Sequence, residues 1–167
     1  MSVAGDGSRR TGRNRPGLRR RLARRFAYLP VRRKLLIGEA VVFLALSRLA
    51  LVFVPFQHLA GRFGRLAVPD APSPGETLSE TQIDTAKAVG WAVTRSARYA
   101  PFRAVCLPQA IAAQAMLRRR DVPTVMHFGV AKIAGEPLAA HAWLHAGSIE
   151  VTGFPMLHEF TEIARFL

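Results

Sequence analysis

The chain has 167 residues, half of them hydrophobic and about a fifth charged, with a single cysteine and a formal net charge of +13. That length suffices for one domain with its own core, and the hydrophobic fraction excludes a disordered chain. One cysteine excludes both an internal disulfide framework and a cysteine-rich zinc site.

The charge is concentrated at one end. Residues 1–34 hold twelve of the 24 Lys and Arg residues against one acidic residue, Asp6, whereas the remainder is nearly balanced. Residues 1–17 are rich in Gly, Ser and Arg, and the basic arm (residues 1–30) is expected to be disordered. Within it, 18–34 interleaves Arg clusters with Leu18, Leu22, Phe26 and Leu29. This pattern suits an anionic membrane surface, contacted through residues 9–34, or equally a solvated tail. No helix-turn-helix, zinc module or aromatic RNA-binding pattern accompanies the charge, so no specific nucleic acid is expected.

Residues 35–56 are the most apolar stretch and belong to an N-terminal helical segment spanning 31–67. Glu39 and Arg48 speak against a membrane span, since each would cost about 2.5–3.5 kcal/mol at the centre of a bilayer. A helix buried in the fold or grazing a membrane is expected instead. Residues 68–79 form a Pro-rich linker. Ser79 and Gln82 then make a capping box for a helix to about Arg98, with Ile83, Ala86, Val89, Val93 and Ala97 on one face. Its stop is the residue before Pro101.

A second helix begins at Cys106, with Pro108 tolerated in its first turn. A strand covers Thr124–Ile133, where His127 falls out of phase with Met126, Phe128 and Val130 and so on an exposed face. Strands at 139–145 and 148–152 form a hairpin around Ala146-Gly147. Pro155–Leu167, with Leu157, Phe160, Ile163 and Phe166, reads as a short helix. Helices followed by an antiparallel sheet make an α+β fold, with residues 80–167 as its core.

Cys106 is the candidate nucleophile. A thiol at a helix N-terminus faces the positive end of the dipole, beside free N–H groups able to hold an oxyanion. The competing reading is a buried structural cysteine. Of the five histidines, His58 and His158 lie in helical stretches away from any motif. His141 and His145 share one strand face with Trp143 between them, so a base is available on a strand downstream of the cysteine. Trp143 and Gln109 are candidates for substrate contact, although a core aromatic and a polar helix face explain them equally.

The run from Cys106 through Leu107, Pro108, Gln109 and Ala110 to Arg118–Arg120, then Phe128-Gly-Val-Ala131, then Ala140-His-Ala-Trp-Leu144, resembles the protease half of lasso-peptide biosynthesis B proteins. The apolar helix Leu35–Phe56 is also similar, so the resemblance covers residues 31–166. It implies a papain- or transglutaminase-like core, with Cys106 as nucleophile and His141 as base. It also implies a cysteine peptidase that removes the leader from a ribosomally made lasso precursor ahead of macrolactam formation. Its implied partners are the precursor, a separate leader-binding winged-helix protein and a macrolactam cyclase. The compartment is the cytoplasm or the inner membrane face, and neither a metal nor an organic cofactor is implied. Relatives often carry an aspartate at the position of Gly153, and here the sequence departs. If the hairpin centres on Ala146-Gly147, Trp143 pairs with Glu150, and Glu150 becomes the candidate third member; Thr152 or a backbone carbonyl are the alternatives. Two other functions fit the same residues: acyl transfer of transglutaminase type, and a catalytically weak membrane- or nucleic-acid-associated binding subunit.

Overall fold

The computed structural model describes residues 28–55, 58, 66–67, 77–132, 138–156 and 159–167. Among the described residues, three helices pack with an antiparallel sheet whose first short strand falls between the first two helices. The helices are α1 (Val31–Phe53), α2 (Glu80–Tyr99) and α3 (Cys106–Arg118). The strands are β1 (Leu66–Ala67), β2 (Val125–Ala131), β3 (Ala139–Ala146), β4 (Ile149–Thr152) and β5 (Thr161–Phe166), in the order β1-β5-β2-β3-β4. The fold is therefore α+β, as the order of elements in the sequence implies. The basic arm up to residue 27 and most of the Pro-rich linker lie outside the described residues.

The capping box is present at the start of α2: the Gln82 amide N–H donates to Ser79 Oγ, and Gln82 Oε1 accepts from the Ser79 amide. The Gln82 side-chain amide also donates to the Asp121 carbonyl, tying this cap to the turn after α3. Ala86, Val89 and Val93 of α2 are fully buried. Gly90 lets α2 approach β4, since a Cβ at that position would lie 2.6 Å from the Val151 carbonyl oxygen. Helix α3 is enclosed on most sides, with Ala110, Ala112, Ala113, Met116 and Leu117 fully buried. One core joins these residues to Ala40 and Leu44 of α1 and to Met126, Leu144, Ala146 and Phe166 of the sheet. Full burial of a side chain such as Leu44 contributes about 1.5–3 kcal/mol.

Only one side of α1 joins that core. Ala40, Leu44 and Ser47 are buried, whereas Leu35, Val42, Leu46, Leu49 and Phe53 are exposed. Glu39, the one carboxylate of α1, turns inward onto Arg120 in a bidentate pair whose Nη1–Oε1 bond is 3.0 Å. That hydrogen bond, with the charge of Arg120, holds the Glu39 carboxyl below its ordinary value.

Two expectations are corrected. The C-terminal stretch is strand β5, not a helix. Its pairing with β2 runs Met126 with Phe166, His127 with Arg165 and Phe128 with Ala164, then jumps to Gly129 with Glu162. Ile163 is the extra residue of a β-bulge. The bulge puts Glu162 and Arg165, three apart, on one face and so imitates a helical period. The hairpin register also differs. Leu144 pairs with Thr152 and His145 with Glu150 across an irregularity between Leu144 and His145, so Glu150 faces His145 rather than Trp143.

Candidate active site

Cys106 is the first residue of α3. It follows Val105, whose extended backbone ends the loop from Pro101. The Gln109 side-chain amide donates to the Ala104 carbonyl at 2.7 Å, cinching that loop against the first turn. Gln109 thus braces the segment presenting the thiol. Helical hydrogen bonding leaves the amides of Cys106 and Leu107 without intrahelical acceptors, and Pro108 has no N–H to spare. The thiol side chain is half-buried.

Topology sets the position of Cys106 along the sheet. Arg118 at the far end of α3 lines a cavity of about 730 Å³ with Val122–Val125, His145, Gly147 and Ser148. The C-terminus of α3 therefore lies where β2 begins and β3 ends. Thirteen residues rise about 20 Å, close to the length of a seven-residue strand. Helix α3 packs on β3 and β4, and an axis running along those strands takes Cys106 toward the end where β3 starts and β4 runs out into Gly153.

The two side chains come to that end from different faces. Leu144 and Ala146 of β3 point into the helical core, and alternation turns His141, Trp143 and His145 to the other face. No hydrogen bond joins His141 to Cys106 among the described residues. Instead His141 Nε2 lies 2.8 Å from the Gly153 carbonyl oxygen. A carbonyl only accepts, so Nε2 carries the proton, and in the neutral ring Nδ1 keeps its lone pair. The Gly153 carbonyl thus meets His141 at the residue where the sequence offers no carboxylate.

Only glycine fits there. Gly153 has φ +92°, and a Cβ would lie 2.6 Å from Trp143 Cβ and 2.9 Å from the Ala142 carbonyl oxygen. The other candidate orienters are elsewhere. Glu150 is exposed and opposite His145, and Thr152 Oγ1 is buried without a hydrogen-bond partner among the described residues. Trp143 is only 6% exposed. Its ring stacks on His127 at 5.3 Å and on His141 at 6.0 Å and rests over Gly129, which leaves little surface for a substrate. Phe160 closes the other side of the His141 ring at 4.9 Å.

A second polar group on this face escaped the sequence reading. His127, expected to be exposed, is 8% exposed. Its Nδ1 lies 2.8 Å from Glu162 Oε1, its Nε2 lies 3.2 Å from His145 Nδ1, and Arg165 clasps Glu162 through two bonds. Burial pushes both histidines below their ordinary value of 6.5, and His127 beside it adds to the lowering of His145. The Arg165 hydrogen bond holds Glu162 below its own. With both rings neutral, His127 donates to Glu162 and accepts from His145 Nδ1–H, so donation runs from the cavity through both rings to the Glu162 carboxylate, which accepts from Arg165 on its other side. The signal missed was the spacing of Glu162 and Arg165, which is explained only by the bulge.

An antiparallel sheet backed by a helix that starts on a cysteine, with a histidine on the neighbouring strand at the same end, defines the transglutaminase-like class of fold. A family model described as the transglutaminase-like superfamily matches residues 50–165. The chain belongs to that superfamily, which includes cysteine peptidases and acyltransferases. Comparisons with curated proteins and with solved structures give no match.

Proposed function

We propose that the protein is a cysteine peptidase that removes the leader from a lasso precursor peptide. The observation that carries this reading is the hydrogen bond from His141 to the Gly153 carbonyl. It leaves Nδ1 as an acceptor at the end of the sheet where α3 begins on Cys106. In the proposed reaction Nδ1 takes the thiol proton, the thiolate attacks the scissile carbonyl, and the amides of Cys106 and Leu107 receive the oxyanion. The imidazolium, held by Gly153, then protonates the leaving amine, and water releases the acyl-enzyme. The thiol has to reach Nδ1 around the end of β3, and catalytic hydrogen bonds of this kind commonly tighten only once substrate is bound. Recognition of the leader falls to a separate winged-helix protein, and a cyclase consumes the freed amine; the residues resembling the B-protein protease half support both assignments.

The test is cleavage of the precursor peptide by the full chain with the leader-binding protein, followed by mass spectrometry. A peptidyl chloromethyl ketone serves as a thiol probe in parallel. Cys106→Ala and His141→Ala should each lower cleavage at least 100-fold, in keeping with the loss of a nucleophile or base. The probe should label Cys106 in the wild type and in His145→Ala but not in His141→Ala. Labelling that depends on His145 instead would move the base to the wrong end of β3 and end this assignment.

A further inference from the structure

We infer that the outward face of α1 is a peripheral docking surface for an anionic membrane. This reading stands independently of the peptidase assignment. Leu35, Val42, Leu46, Leu49 and Phe53 are between 52% and 77% exposed. At 100° per residue they fall within one narrow stripe, extending about 27 Å along the helix axis. Gly38, Val41, Ala45 and Val52 extend the apolar surface on one side, and Glu39, paired with Arg120, borders the stripe on the other. Apolar surface of this extent does not stay uncovered on a soluble chain.

Charge selects what covers it. The stripe continues directly from a segment with twelve basic residues and one acidic residue, ending in Arg32, Arg33 and Lys34 at the first turn of α1. Glu39, the sole carboxylate of the helix, borders the stripe but is neutralised by Arg120 and Arg119. A second copy of the chain would bring two such arms together, at a cost in repulsion. A duplex nucleic acid would satisfy the arm and leave the apolar stripe in water. An anionic bilayer accommodates both, with each basic residue near its surface adding to the attraction and the stripe sinking to the acyl boundary.

Helix α1 is long and apolar enough to cross a membrane by length and composition alone. Its inner side argues for lying on the surface instead. Ala40 and Leu44 are fully buried in the same core as α2 and α3, and Glu39 is bonded to Arg120. Spanning would require withdrawing those contacts and placing Glu39 and Arg48 in hydrocarbon, whereas lying flat keeps the domain intact and uses only the exposed face.

The experiment is flotation of the full chain with vesicles of phosphatidylcholine alone and of phosphatidylcholine with 30% phosphatidylglycerol. Wild type should float with the anionic vesicles and not the neutral ones, and at 0.5 M NaCl binding should fall at least tenfold. Leu46→Glu with Leu49→Glu, both on the exposed stripe, should abolish flotation while circular dichroism and melting temperature stay unchanged. Full extraction by alkaline carbonate should follow, as expected of a peripheral protein. Three outcomes would overturn the proposal. They are equal binding to neutral vesicles or none to either, resistance to carbonate extraction, and a dimer by light scattering that the same double substitution dissociates.

Discussion

Gly153 stands where the sequence has no carboxylate for His141, and the backbone carbonyl there meets the ring instead. Its carbonyl reaches His141 because the chain comes within van der Waals contact of β3, an approach that any side chain would block. Gly153→Ala should therefore destabilise the protein by about 2–4 kcal/mol, combining left-handed strain of about 1–2 kcal/mol with overpacking against the β3 backbone. Urea unfolding would read this directly. Gly153→Asp would place a carboxylate at this position, yet it should be at least as destabilised and no more active. Higher cleavage by Gly153→Asp would show that the loop relaxes to accept a side chain and that the carbonyl is a poor substitute. Glu150→Gln is the matched control. Glu150 is exposed and opposite His145, so the change should leave cleavage intact and stability within about 0.5 kcal/mol.

At the scale of elements, α1 is held to α2 and α3 by the buried side chains of Ala40, Leu44 and Ser47 and by Glu39, which pairs with Arg120 and, at 3.9 Å, with Arg119. Glu39→Gln leaves Arg120 partly buried without its charged partner and should cost about 1.5–3 kcal/mol, the range for hydrogen bonds to charged groups. Arg120→Met should cost a similar amount, and the double variant less than the sum of the two, because no charge is then left unpaired. A strictly additive double-mutant cycle in urea would mean the pair contributes nothing specific to docking α1. The elements were legible in the sequence wherever local chemistry decides them. The Ser79–Gln82 box starts α2 where the residues say, Pro108 marks the first turn of α3, and the Gly147 region turns the hairpin. They were illegible where a neighbouring strand decides. The helical spacing of Phe160, Ile163 and Phe166 hides a strand whose bulge at Ile163 brings Glu162 and Arg165 to one face, and the irregularity beside His145 shifts Glu150 by a register that no local residue announces. The same limit applies to the site: Cys106 and His141 are marked by their surrounding residues, whereas the Gly153 carbonyl has no side chain to mark it. Likewise, His127 obeys the alternation it was read by, yet is buried because the outer face of the sheet carries its own cluster of rings.

For the molecule as a whole, stability should depend on pH in two steps whose signs follow from the shifted groups. His127 and His145 are pushed below 6.5 by burial, with Glu162 and Arg165 facing both and Glu150 facing His145. The unfolded chain therefore takes up protons on these histidines at a higher pH than the folded one. Their neutral form supports the fold above about pH 6.5, and that support is lost as the pH falls through and below this value. Glu39 and Glu162 are held below 4.5 by Arg120 and Arg165, so their contribution is present above 4.5 and is lost on further acidification. The melting temperature should thus be level above pH 7, decline from about 6.5 and fall again below about 4.5. In a His127→Gln, His145→Gln variant the first decline should vanish while the second remains. A melting temperature that rises between pH 7 and 5.5 would mean that Glu162 holds the pair protonated in the fold, reversing the sign. The double glutamine variant leaves Glu39, Glu162 and their arginine partners in place, so the acid dependence that survives in it belongs to those two carboxylates.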